Sequence, residues 1–282
     1  MGPIGLDEVI DKHKTPGAAV AFNFVACEDL RGIVAAAEAE NVPVIVQVTQ
    51  GAVNRCGIDY IAAMGIAAAR TANVPVCLHL DHATDFATIV RAIRLGFSSV
   101  MIDASRLPFE QNVNMTRKVA EVAHAAGVSV EAELGRLAGR EDNVEGDENA
   151  WLTDPEEAEI FVAKTGIDAL APSVGTAHGL YKGTPNIRFD LIRAIADRVH
   201  VPLVLHGGSD VPVGMVQKAI RCGIRKFNVG TDLRIVQARA LQNSLAGKVE
   251  FSAADVFAAG QAVMDAVCTE ARRKIHMCTD LQ

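Results

Sequence analysis

Eight short apolar runs, separated by stretches of helical period, recur along the chain between residues 18 and 232. They are AAVAFNF (18–24), VPVIVQVT (42–49), VPVCLHLDH (74–82), SVMIDA (99–104), VSVEAELG (128–135), DALAPSVG (168–175), VPLVLHGG (201–208) and RKFNVGTD (225–232). Strand-like runs alternating with helices point to parallel strands joined by helical crossovers. The stretches between them include EDLRGIVAAAEAEN, FATIVRAIRLG, FEQNVNMTRKVAEVAHAAG, DPEEAEIFVAKTG and FDLIRAIADRV, several ending in the glycine or asparagine of a helix C-cap. Eight such units in about 230 residues predict an α/β fold, a (β/α)8 or TIM barrel, as one domain over residues 1–282. A doubly wound open sheet is the alternative, but no GxGxxG follows the first run. After the eighth unit, a helical extension from about Ala253 to Lys274 is read as a packing face, with a subunit contact as the second option.

Composition narrows the partners. The chain has 282 residues, 50% hydrophobic, a net charge of -7 and a pI near 5.6, which argues against nucleic acid or a membrane surface. Phosphorylated substrates stay open, because a local anion site does not need a basic protein. The six cysteines are scattered, with neither CxxC pairs nor the dense spacing of a secreted disulfide scaffold, which fits a reducing, cytoplasmic setting. Met1 to Lys14 is too polar for a signal peptide, and no apolar run reaches the roughly 18 residues of a membrane span.

Three histidines stand where a run gives way to a polar or glycine-bearing loop: His82 in HLDH, His178 in GTAHG and His206 in LHGG. In a closed parallel barrel the carboxyl ends of all strands share one mouth, so distant residues converge there. A catalytic zinc keeps one tetrahedral position open, and three histidines leave that opening. Alternation in HLDH puts His79 and Asp81 on one side of the strand, with His82 at its exit. Asp81 is the candidate base, or else a cap for the next helix. His79 is read as hydrogen-bonded within the barrel. Asp103, Glu131, Glu133 and Asp232 also end runs, and charges buried there need partners. Glu133 and Asp103 are read as supports or alternative ligands of the metal, and Glu131 as a salt-bridge partner.

Glycine-rich loops gather at the last three units, in GTAHGLYKG, HGGSD and NVGTD. Barrels frequently hold phosphate on backbone N–H groups there, so Gly207, Ser209 and Thr231, with Gly179 and Lys182, are phosphate candidates. The polar stretch GREDNVEGDENA (139–150) follows the fifth run, and its composition predicts a mobile loop at the catalytic face.

With these strings assembled, the chain resembles the class II, zinc-dependent ketose-bisphosphate aldolases of the fructose- and tagatose-1,6-bisphosphate type. The resemblance rests on LHLDHATD, MIDASRLPFEQN, VSVEAELGRLAGREDN, TDPEEAEIFVAKTGIDALA, GTAHGLYKG, LHGGSD and NVGTDLR in the family's order. It implies zinc on His82, His178 and His206, a monovalent cation (Na+ or K+) near the phosphate site, and retro-aldol cleavage to dihydroxyacetone phosphate and an aldehyde. It gives Asp81 the acid/base role at the C3–C4 bond, Asn228 contact with the enediolate, and Glu141 proton transfer at the dihydroxyacetone phosphate carbon. Gly179, Lys182, Gly207, Ser209 and Thr231 match the phosphate site. Asn23 and Thr49 complete the substrate-binding set, Thr49 standing where serine is common. A homodimer or homotetramer is expected.

One departure bears on the substrate. Members acting on bisphosphates carry an arginine in an Asp-Pro-Arg-like string, where this chain has FSAADVF with Ala254 at that position. Arg272 or Arg273 could substitute, and the aldehyde half could lack a phosphate. Two other classes remain: a metal-dependent hydrolase, which favours an HxH string on the first strand that AAVAFNF lacks, and a non-catalytic sugar-phosphate-binding protein, against which Asp81 and Glu141 count.

Overall fold

The structure, a computed structural model, describes residues 2–13, 17–136, 151–181 and 183–281, and the backbone of 138–141 and 144–145. Its strands are β1 (Ala19–Asn23), β2 (Val44–Thr49), β3 (Val76–Ala83), β4 (Ser99–Ile102), β5 (Ser129–Leu134), β6 (Ala138–Glu141), β7 (Val144–Glu145), β8 (Ala169–Pro172), β9 (Ala177–His178), β10 (Leu203–Leu205) and β11 (Ile224–Val229). Eight of them close a parallel barrel in the order β1-β2-β3-β4-β5-β8-β10-β11, with β11 returning to β1. The predicted eight-unit barrel is therefore present, although the sixth and seventh runs form shorter strands than the 168–175 and 201–208 read from the sequence. Glycines follow both, and the chain turns out of the barrel into loops there.

A period of two sorts the barrel residues. Even-numbered positions of β1, β2 and β3, such as Val20, Phe22, Val46, Val48, Leu78 and Leu80, face outward and form one buried cluster with the surrounding helices. Odd-numbered positions face inward: Ala19, Ala21, Ile45 and Cys77 join Ala169, Ala171 and Val204 in a second apolar cluster. The helix Leu6–Lys12 closes that end, burying Leu6, Val9 and Ile10 against them. The sequence reading treated this segment only as polar, because its charged residues outnumber the three that it buries. Above the apolar layer, the inward positions turn polar, and that polar half opens at the mouth.

The next helix after β3, Phe86–Leu95, is capped by Asp85, whose carboxylate accepts the Thr88 N–H at 2.8 Å. Asp81 is thus free of the capping role. The C-terminal helix runs from Ala253 past Lys274 to Thr279, and it packs on the helices Cys27–Glu40 and Thr231–Leu245. No helix among the described residues is long and apolar enough to cross a membrane.

Candidate metal centre at the barrel mouth

The three predicted histidines meet. Ring centroids are 5.0 Å apart for His82 and His178, 4.6 Å for His82 and His206, and 6.2 Å for His178 and His206, each pair nearly perpendicular. One nitrogen from each ring lies within 4.8 Å of the others. All three side chains are buried.

Local backbone explains how His82 arrives there. In β3, Leu80 pairs with Val100 but Ala83 pairs with Ile102, so β3 carries one residue more than β4 over that step, a β-bulge. His82 sits in it with φ of +48°, a region that non-glycine residues enter uncommonly and at a cost of about 1–3 kcal/mol. Strict alternation would send His82 outward after the inward Asp81; the bulge turns both into the mouth. β9 brings His178 in differently: its short strand pairs with β6, with His178 opposite Gly139.

Carboxylates orient two of the rings. His82 Nδ1 lies 3.2 Å from Asp103 Oδ2, and His206 Nε2 lies 2.8 Å from Glu131 Oε1. An imidazole that donates from one nitrogen presents a lone pair on the other. Those other nitrogens, His82 Nε2 and His206 Nδ1, are buried without a hydrogen-bond partner. Glu133 Oε2 is likewise unpartnered, 3.8 Å from His82 Nδ1 and 3.5 Å from His206 Nδ1. Orphaned buried lone pairs are costly. A divalent cation with borderline-soft character satisfies all of them at once, and carboxylate-braced histidines are the usual form of such ligands.

The local field agrees. Burial disfavours a charged His206, yet its hydrogen bond to Glu131 and the nearby Glu133 carboxylate outweigh that and lift its pKa to about 9. His82 is also raised well above an ordinary imidazole: burial opposes, but Asp81, Asp103 and Glu133 prevail. A pocket that draws protons onto two imidazoles is one that stabilises positive charge.

Beneath the histidines, Glu131 and Lys226 form a fully buried pair at 2.8 Å, which supplies the partner that the sequence reading left unnamed. Burial pushes against an ionised Glu131, but Lys226 and His206 hold its carboxyl well below the usual range. His79 Nδ1 is 2.8 Å from Ser99 Oγ, and burial followed by the Lys226 charge keeps His79 neutral, far below its ordinary value. Because Lys226 is the counter-charge of a carboxylate with no access to water, Lys226→Met is expected to cost about 3–5 kcal/mol, read as a shift in urea unfolding. A loss below about 1 kcal/mol would mean that Glu131 is not carrying charge there.

Asp81 lies beside the cluster, fully buried. Three carboxamides donate to it: Asn23 Nδ2 at 3.3 Å and Gln47 Nε2 at 3.1 Å to Oδ2, and Asn228 Nδ2 at 3.4 Å to Oδ1. Asn228 Oδ1 and Gln47 Oε1 have no partner. Gln47 was missed from sequence, since one glutamine in VPVIVQVT reads as an interruption of an apolar run. Thr49 is buried and accepts the Ala52 N–H at 3.1 Å, capping the helix Gln50–Cys56.

The glycine-bearing loops also converge. Gly207 has φ of +65°, and a Cβ there would stand 2.3 Å from the Ala177 carbonyl oxygen, so only glycine fits. Gly179 follows His178 with φ of +87°. Tyr181, also unforeseen, donates its O–H to the Gly207 carbonyl and accepts the Ala177 N–H, both at 2.9 Å, tying the loop after β9 to that after β10. Ser209 is buried beside Asp232, and Thr231 opens the helix Thr231–Leu245, whose N-terminal N–H groups suit an anion. Lys182 and the Glu141 side chain lie outside the described residues. Arg272 pairs with Glu40 at 2.6 Å and Arg273 with Glu270 at 2.6 Å, so carboxylates of the outer helices hold both arginines considered in place of Ala254.

Comparison with known proteins identifies relatives of the whole chain. Residues 5–280 match the family model described as fructose-bisphosphate aldolase class-II. A fructose-bisphosphate aldolase of Helicobacter pylori (strain J99) is 40% identical over 294 residues, covering 94% of this chain and 95% of that protein. Another, of Geobacillus stearothermophilus, is 44% identical over 250 residues, 87% of each. The crystal structure of the YdjI aldolase of Escherichia coli K12 superposes with a TM-score of 0.86 at 31% identity, over 99% of this chain and 98% of that one.

Proposed function

This chain belongs to the class-II fructose-bisphosphate aldolase family and is an aldolase acting on a sugar phosphate, and we propose that it works through zinc held by His82, His178 and His206. The observation that carries this reading is the pair of orphaned nitrogens on carboxylate-braced histidines, beside a buried aspartate. Bound there, zinc would supply a Lewis acid that polarises the ketose carbonyl, so no Schiff-base lysine is needed.

The chain's own residues do the rest. Asp81 takes the proton from the substrate hydroxyl as the C3–C4 bond breaks, and returns it in condensation. Asn23, Gln47 and Asn228 hold that carboxylate in place, and Asn23 and Asn228 also bind the sugar. Glu141 moves the proton at the dihydroxyacetone phosphate carbon, and Thr49 offers its O–H to the substrate. Asp103 and Glu133 brace the metal ligands, with Glu133 close enough to serve as a ligand itself. Gly179, Lys182, Gly207, Ser209 and Thr231 hold the phosphate, by backbone N–H groups and one point charge. A monovalent cation beside those loops belongs to the same reading and rests on the resemblance.

Two further parts of the reading concern setting. Six cysteines without disulfides fit the cytoplasm. The exposed Val249, Phe251, Val256 and Phe257 around the start of the C-terminal helix support a homodimer or homotetramer.

Incubation with fructose and tagatose bisphosphates and their monophosphates tests the function. Dihydroxyacetone phosphate should appear with at least one of them, and because Ala254 replaces the family's arginine, a ketose 1-phosphate is included as a full candidate. Release of inorganic phosphate without a triose would point to hydrolysis instead, and tight binding without product to a sugar-phosphate receptor.

A further inference from the structure

Lys274 belongs to the C-terminal helix, outside the eight barrel units, yet its side chain is only 1% exposed. A buried ammonium requires a partner. Its Nζ forms an ion pair with the Asp232 carboxylate; the other nearby acid, Glu270, is 4.0 Å away and already engaged with Arg273. Asp232 stands in the first turn of the helix Thr231–Leu245. Its Oδ2 accepts the backbone N–H of Asp210 at 3.1 Å, and its own N–H donates to Ser209 Oγ at 3.3 Å. One residue therefore ties the loop after β10 to the start of the helix after β11, and holds Asp210 at φ of +58°. With its oxygen occupied as an acceptor, the Ser209 hydroxyl has its proton left to donate.

A carboxylate is a poor neighbour for a phosphate dianion, since like charges at such range repel. We propose that Lys274 is a positioning residue of the phosphate site: it cancels the charge of Asp232, so that a carboxylate can brace the Ser209–Asp210 turn against the helix N-terminus without repelling the substrate. The inference rests on the assignment of Gly207, Ser209 and Thr231 to phosphate. It gives the C-terminal helix a part in substrate binding in addition to packing.

The test uses the KM for whichever ketose phosphate the full-length enzyme cleaves, and the inhibition constant of inorganic phosphate. Lys274→Met should raise both by about tenfold or more, one 1.4 kcal/mol step, with kcat falling less than about threefold. Adding Asp232→Asn to that variant should recover most of the loss, because the amide oxygen still accepts the Asp210 N–H but carries no charge. A lysine that merely stabilised the fold would not be rescued by deleting its partner's charge. Lys274→Gln carries the same comparison if the methionine variant does not fold. Ser209→Ala serves as the control for the phosphate assignment. If it weakens phosphate while the Lys274 variants do not, or if Asp232→Asn fails to rescue, Lys274 does not act in this way. If Ser209→Ala leaves phosphate inhibition unmoved, the phosphate assignment itself falls, and the role of Lys274 with it.

Discussion

Asp81→Ala is expected to lower kcat/KM by at least about 100-fold, the usual minimum contribution of a positioned general acid–base group. The zinc content should stay at one equivalent, because Asp81 is not among the carboxylates that brace His82 or His206. Asp81→Asn separates chemistry from packing: it preserves the shape of the pocket, yet removes the proton acceptor and places a fourth carboxamide among Asn23, Gln47 and Asn228. Both variants should fold, and both should lose turnover to a similar degree. Steady-state rates paired with elemental analysis decide the matter. Near-normal turnover in either variant would remove Asp81 from the reaction.

Stripping the metal should do more. Lewis-acid stabilisation is worth several kcal/mol, and at 1.36 kcal/mol per decade the chelated enzyme is expected to fall by about 1,000-fold or more. Added zinc should restore activity. The metal-free protein should also unfold at a lower temperature, because an ion that binds only the native state stabilises it. The His82 and His206 nitrogens left without partners are what the ion would engage. Full activity in protein shown to be free of bound transition metal would end the zinc mechanism.

Much of this site could be read before any coordinates. Residues that end parallel strands must share a mouth, so His82, His178 and His206 could be grouped from three separate strings, and the acids Asp103 and Glu133 with them. What escaped detection depended on pairing across the barrel. Lys226 follows Arg225 at the start of the run RKFNVGTD and resembles a solvated flank; only the parity of β11 against β5 shows that it faces Glu131. Gln47 gains meaning only once Asp81 stands opposite it. Asp85, not Asp81, caps the following helix, a distinction that turns on where β3 stops. The plug helix Leu6–Lys12 is too short and too charged to show a clear apolar face in sequence, and its three buried residues matter because a barrel needs a floor. Ala138–Glu141 and Val144–Glu145 form paired strands, the first also against β9, and no alternation in GREDNVEGDENA announces that pairing.

The extra residue in β3 has a bearing on how reliably the reaction is set up. Since Asp81 and His82, the proposed proton carrier and one proposed metal anchor, are consecutive links of the same polypeptide, their spacing is governed by covalent geometry rather than by the fit of helices around the barrel. Thermal breathing that loosens the outer shell would leave that distance nearly constant. Transplanting the chemistry to another scaffold would thus require copying a kinked dipeptide, not merely two side chains at the right coordinates.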